Sequence, residues 1–310
     1  MMDSTAALTT TFESVADFCP EPGSAYVAGV SVEKRSRHGE QWEHGCRNVQ
    51  FYRVLREAAD EIEFSGAGGV IQLRSLSQLT AFWQAVESKV LYLDITGLRH
   101  STWAALLRGL KNTDGKRVRV VYVEPDDYRM NPRPTQNVIY DLSEKIEGIR
   151  PLPGFARFRR DRNAGVFAPL LGFEGTRLQY LINQLEPSGQ LIFPIVGVPG
   201  FRAEFPFITY WANRTALRES QAWRKVIFAP ASCPFATLNV INQLRYEHKN
   251  RSIALAPIGT KPQSLAAVIS ALQYPEQVEI VYDHPVRKAE RTEGIKRLHV
   301  YEVTQLVCHG

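Results

Sequence analysis

Cysteine is scarce in this chain: among 310 residues only Cys19, Cys46, Cys233 and Cys308 occur. They stand far apart and form no Cys-x-x-Cys pair, which speaks against a disulfide framework and a zinc knuckle and predicts free thiols. Long apolar runs are missing too, since no stretch approaches the ~20 residues that cross a bilayer. The opening residues Met1-Met2-Asp3-Ser4-Thr5-Ala6 lack the basic-then-apolar order of a secretion signal. A cytoplasmic protein with no membrane partner is expected.

Two further absences narrow the chemistry. A glycine-rich turn, Gly66-Ala67-Gly68-Gly69, precedes the apolar run Val70-Ile71-Gln72-Leu73. A dinucleotide fingerprint needs its glycines after a strand and before a helix, so this order excludes one here. His38 and His44 have no second pair of ligands at a recognised spacing, and neither a metal site nor a cofactor is expected. Net charge is not lacking, but +5 with a pI near 9.0 is modest for this length. It permits an anionic ligand without specifying nucleic acid.

What is present is ordinary for a folded protein: 44% hydrophobic and 22% charged residues, long enough for two domains each with its own core. Apolar runs alternate with helical periodicity. Ile253 to Ile258 reads as a strand, Gly259-Thr260-Lys261-Pro262 as a turn, and Leu265, Val268, Ile269 and Leu272 recur at i, i+3, i+4 and i+7 as one helix face. Pro262 suits the start of that helix, with Thr260 or Lys261 as its cap. A strand over 278–282 closes a strand-helix-strand unit, whose ligand would sit beyond the first strand's carboxyl end. There, Gly259 allows close backbone approach, free amides and the helix dipole favour an anion, and Lys261 adds positive charge. The same residue types also suit any strand-to-helix turn for conformational reasons, with the lysine solvated.

Similar units are read elsewhere. A strand at 89–94 ends in Asp94-Ile95-Thr96-Gly97, and Ser101 or Thr102 caps a helix through Leu110 before the strand 117–123. Asp94 and Thr96 at that end, with Glu124 at the next, can bind ribose hydroxyls, hold magnesium or act as bases; alternatively they cap the adjoining helix or turn. In the second half, a strand at 166–171 meets Gly172-Phe173-Glu174-Gly175 and a helix through Leu178, Leu181, Ile182 and Leu185. Glu174 is either a site residue or a first-turn acid favoured by the dipole. Strands come next at 191–198, 225–229 and 298–303, and helices at 49–62 and 76–86 complete the pattern. The aromatic stretch 202–213 reads as a packed loop or short helix walling a pocket, with Asn213 and Arg214 beside it for a ligand. Cys233 before Pro234 opens another helix, as a turn-filling residue or a nucleophile. The basic run Arg157 to Arg162, interleaved with Phe158, reads as a solvated loop or a nucleic-acid contact.

The sequence Ile258-Gly259-Thr260-Lys261-Pro262, after an apolar strand and before a small-residue helix, resembles the Gly-Thr-Lys signature of the CRISPR-associated Rossmann-fold sensors. That resemblance implies a nucleotide second messenger held by Gly259, Thr260 and Lys261, and a separate effector that the bound state switches. The combined expectation is an α/β protein of two Rossmann-like domains with mainly parallel sheets, 1–150 and 151–310. Its expected role is a nucleotide-sensing or anion-binding regulatory subunit in prokaryotic antiviral defence. The alternatives are an enzyme on nucleotides or phosphate esters, with Asp94, Glu124 or Glu174 as base or metal ligand, and a nucleic-acid-binding scaffold. Partners would be the anionic small molecule, a protein effector, nucleic acid on the scaffold reading, and a second copy in a homodimer.

Overall fold

The computed structural model describes residues 8–308 except 30–32, 38–41, 43, 44, 47, 66–68, 136, 137, 141 and 157–164. His38, His44 and the basic run 157–162 lie outside the described residues. The chain divides into two compact units, Met1–Asp127 with Leu152–Gly154 and Thr292–Gly310, and Tyr128–Pro151 with Phe155–Arg291. Both are α/β. The division is not linear, because the strand Leu298–Glu302 returns to the first sheet and a single cut at residue 150 does not capture that return.

In the first unit β1 (Thr9–Phe12), β2 (Ala25–Gly29), β3 (Gln50–Glu57), β4 (Glu61–Phe64), β5 (Val70–Gln72), β6 (Val90–Asp94), β7 (Arg117–Val123) and the last strand of the chain, β17 (Leu298–Glu302), form one eight-stranded sheet. Its spatial order is β1-β17-β7-β6-β2-β3-β4-β5. The centre, β7-β6-β2-β3, is parallel, and both margins are antiparallel. The central runs are apolar because both sheet faces are covered: β6 is buried along its whole length. Helices α1 (Leu76–Ala85) and α2 (His100–Gly109) pack together, with the Trp83 indole N–H donating to the Leu106 carbonyl at 2.9 Å. Arg99 is the cap of α2, and Ser101 and Thr102 lie inside its first turn.

Two sequence expectations are corrected here. Residues 49–62 form strands β3 and β4 and not a helix: β3 pairs with β2 on one side and β4 on the other, which satisfies its backbone in a sheet. Cys19 and Cys46 are joined by a disulfide. The sequence separates them, but Phe18 meets Trp42 edge-on with ring centroids 5.1 Å apart and so brings the two segments together. Cys233 and Cys308 are free.

The second unit opens with short antiparallel strands, β8 (Met130–Thr135), β9 (Val138–Tyr140) and β10 (Ser143–Ile146); β8 pairs with β9, and β10 pairs with β16 (Pro285–Arg287). Its main sheet holds β11 (Val166–Leu170), β12 (Ile195–Gly197), β13 (Ile227–Ala229), β14 (Ile253–Pro257) and β15 (Val278–Ile280). All five are parallel, in the order β13-β12-β11-β14-β15. Helices α3 (Gly175–Leu185), α4 (Phe205–Glu219), α5 (Pro234–Glu247) and α6 (Lys261–Gln273) connect them in turn. Chain order runs outward from β11 in one direction, then resumes at β14 in the other. This is the doubly wound Rossmann arrangement, with its switch point between β11 and β14. Consistent with it, α3 packs on α4, and α5 on α6. Residues 202–213, read as a packed loop or short helix, belong largely to α4, whose start Pro206 favours by lacking an amide hydrogen the first turn would leave unbonded.

A buried ion pair ties α3 to the chain beyond β15. Arg177 donates to Asp283 through Nε at 2.7 Å and Nη2 at 2.6 Å, and Asp283 is fully buried. Burial opposes the Arg177 charge, yet Asp283 more than offsets it, so the guanidinium is held well above its ordinary pKa. Arg177→Met strands the Asp283 carboxylate in the interior and is expected to cost about 3–5 kcal/mol in chemical denaturation. Adding Asp283→Leu is expected to recover most of that loss; a double variant no more stable than the single one would show that the pair is not what holds this contact.

Candidate functional site

At the switch point two turns lie side by side. After β11 the chain runs through Leu171-Gly172-Phe173-Glu174 into α3; after β14 it runs through Ile258-Gly259-Thr260 into α6. The five-residue register of Val166–Leu170 against Ile253–Pro257 brings the turns level. They touch through glycine. A Cβ on Gly259 would stand 2.7 Å from the Leu171 carbonyl oxygen, and one on Gly172 would press into the Ile258 carbonyl. No side chain fits at either position, so the sequence signal at Gly259 has a steric cause as well as any ligand-related one.

Thr260 is the cap of α6, with Lys261 its first residue. The Thr260 hydroxyl accepts from the Gln263 amide at 3.4 Å and donates to the Ala231 carbonyl at 2.7 Å, fastening the α6 start to the loop after β13. Pro262 has no amide hydrogen, and the Ser264 amide bonds the Thr260 carbonyl. The amides of Gly259 and Thr260 carry no hydrogen bond among the described residues. Lys261 is only 5% exposed. It is the first residue of α6, at the positive end of the helix dipole, an end that favours an anion.

Asn213 and Glu174 belong to the same neighbourhood. The Asn213 side chain donates from Nδ2 to the carbonyls of Gly172 at 2.7 Å and Thr209 at 2.8 Å, so α4 steadies the first turn. Its Oδ1 is buried and without a hydrogen-bond partner. Glu174 caps α3 without a side-chain cap bond; its carboxylate instead accepts from the Ser143 hydroxyl at 3.0 Å and lies 3.6 Å from Arg177. Four groups read separately in the sequence, Gly259 to Lys261, Gly172, Glu174 and Asn213, are thus brought together. Gln263 was missed. Its Nε2 donates to the Ala229 carbonyl at 3.4 Å, while Oε1 is buried and unpartnered. The unpartnered oxygens of Asn213 and Gln263 accept only, and suit hydroxyl or amino donors. The mark of Gln263 in the sequence is a long polar residue in the first turn of a helix whose middle, Ser264 to Leu272, is small and apolar.

The other expected residues lie apart from this cluster. Arg214 points along the outer side of α4, its guanidinium 4.0 Å from the centre of the Trp211 ring. Asp94 and Thr96 belong to the first unit and are buried. The Asp94 carboxylate accepts from the Tyr26 hydroxyl at 2.9 Å and the Thr96 amide at 2.8 Å, and the Thr96 hydroxyl accepts from the Val123 amide at 3.0 Å. Burial, then the Asp94 carboxylate, raises the Tyr26 hydroxyl well above its usual range. Glu124 is fully buried and held by Arg297 at 3.1 Å and His299 at 2.7 Å. These carboxylates tie strand ends to their surroundings. Among the described residues, no three or more His, Cys, Asp or Glu side chains are grouped to hold a metal ion. Cys233 caps α5, its sulfur accepting from the Ala236 amide at 3.4 Å. Burial chiefly raises the Cys308 thiol above its ordinary value, which disfavours the thiolate.

Gly172→Ala is expected to force the two turns apart and to cost about 1–3 kcal/mol of stability, an overpacking penalty at a backbone contact. Thermal melting of the variant checks this, and an unchanged midpoint would mean that the turns are not in contact. Asn213→Leu is expected to destabilise by about 1–3 kcal/mol as well, because it leaves the Gly172 carbonyl without its side-chain donor.

No family model matches the chain, and no curated protein matches it either.

Proposed function

We propose that the second unit binds a nucleotide or a related phosphate-bearing small molecule at Gly259-Thr260-Lys261, and that the chain is the sensing subunit of a prokaryotic antiviral defence system, switching a separate effector. One observation carries the reading. The turn falls at the switch point of an all-parallel doubly wound sheet, where open α/β folds receive ligands beyond the carboxyl ends of their strands. Support comes from the unbonded amides of Gly259 and Thr260 and from the shielded cation at the start of α6. The effector and the defence setting rest on the likeness of the turn to that of the CRISPR-associated sensors. Reading the chain as an enzyme has less beneath it, since Asp94, Glu124 and Glu174 each answer to donors within their own unit.

Titration calorimetry of the purified chain with cyclic oligoadenylates, ATP and inorganic phosphate tests the proposal. At least one nucleotide is expected to bind. Lys261→Met, which keeps most of the buried stem, is expected to weaken that binding roughly tenfold to a hundredfold, as loss of a charge-assisted hydrogen bond does, while its melting stays close to wild type. Absence of heat with every anion, or equal affinity in the variant, would refute the assignment.

A further inference from the structure

The outer side of α4 breaks the usual rule for a helix surface. Phe207, Trp211, Arg214 and Arg218 succeed one another at i, i+4, i+7 and i+11 and so share a face about 16 Å long. Phe207 is 76% exposed and Trp211 51%, and across a cleft of about 640 Å³ stands Trp223, also exposed. Leu217 and Tyr210 complete the lining. Large rings standing open in a group, unlike one stray apolar residue, mark a surface that meets something.

The charge around these rings is mostly positive. Between Phe205 and Phe228 the sequence holds Arg214, Arg218, Arg224 and Lys225 against Glu219 alone. Among the described residues neither Arg214 nor Arg218 is paired with a carboxylate; Arg214 lies on the Trp211 ring, and Arg224 lies 5.2 Å from the centre of the Trp223 ring. The cleft therefore presents two indole surfaces, each with a guanidinium on or beside it. A second copy of the chain fits poorly, since a twofold contact through this face would set arginines against arginines. A membrane fits poorly as well, because the opposite side of α4 is committed to the core through Ala212 and Ala216, leaving only a few rings to enter lipid.

We propose that this face of α4 binds single-stranded nucleic acid, with bases stacking on Trp211 and Trp223 and phosphates pairing with Arg214 and Arg218. A strand alternates planar apolar groups with negative charge at short intervals, which is what an aromatic and arginine surface matches without reading sequence. This surface is separate from the Gly259-Thr260-Lys261 turn, and its test does not depend on that site.

Fluorescence anisotropy with a dye-labelled oligothymidylate of about twelve nucleotides tests it. The wild type is expected to bind at low salt and to weaken steeply as salt rises. Trp211→Ala is expected to lose roughly fivefold to a hundredfold in affinity. The double variant Arg214→Ala/Arg218→Ala is expected to flatten the plot of log affinity against log salt by about 1.4, the share of two phosphate contacts on a single strand. All these side chains are exposed or half-buried, so melting midpoints are expected to stay near wild type. Lack of binding at low salt, or variants that bind as the wild type does, would overturn the proposal. So would polyglutamate bound as tightly as the oligonucleotide, which would assign the face to an acidic protein. Flotation of the wild type with anionic vesicles in the absence of oligonucleotide binding would assign it to a membrane.

Discussion

The ladder between β11 and β14 is the constraint on which the second unit depends. The first and fourth strands of its main sheet in chain order run parallel through five paired positions, Val166 with Ile253 to Leu170 with Pro257, and both are wholly buried. The pairing divides the helices between two faces and brings two turns into backbone contact. A slip of one residue would turn every side chain of one strand over to the other face. It would also separate Gly172 from Ile258. The same register that builds the core therefore sets the geometry of the candidate site.

The arrangement explains why polar groups near the turns are so often doubly used. Thr260 both caps α6 and grips the loop after β13, and Asn213 holds the turn after β11 from a different helix. Arg177 fixes α3 to Asp283 beyond the last strand of the sheet. The segments after β11, β13 and β15 are thus each fastened by a side chain belonging to another element. Pre-organisation of this kind is what a binding site requires if ligand affinity is not to be spent on ordering loops.

Much of this was legible in the sequence, for identifiable reasons. Buried parallel strands are short apolar runs, so Arg117–Val123 emerged residue for residue, and Thr260, one of two candidate caps by sequence, proved to be the cap of α6. Residues 49–62 misled because Phe51, Val54, Leu55 and Ala58 fall at i, i+3, i+4 and i+7, a helical spacing here produced by a strand with apolar residues on both faces, Val54 being buried and its neighbour Leu55 exposed. The aromatic stretch before Asn213 showed no apolar stripe because α4 has rings on its exposed side as well as its buried one. No local pattern connects Arg177 with Asp283 or Cys19 with Cys46, since such pairs are made by the fold and leave no periodic trace. Gln263 carried a faint mark that only burial makes meaningful.

The place of β17 has a consequence for how the chain is made. It lies between β1 and β7, so the first sheet has a gap until residues that come after the entire second unit have left the ribosome. The second unit's five-stranded sheet uses only strands already synthesised by then, and it can close while β1 and the β7 edge still wait for their shared neighbour. Synthesis order therefore allows the later unit in the sequence to close before the earlier one. Until β17 arrives, the unpaired edge of β7, rich in valine, is a strand edge open to mispairing.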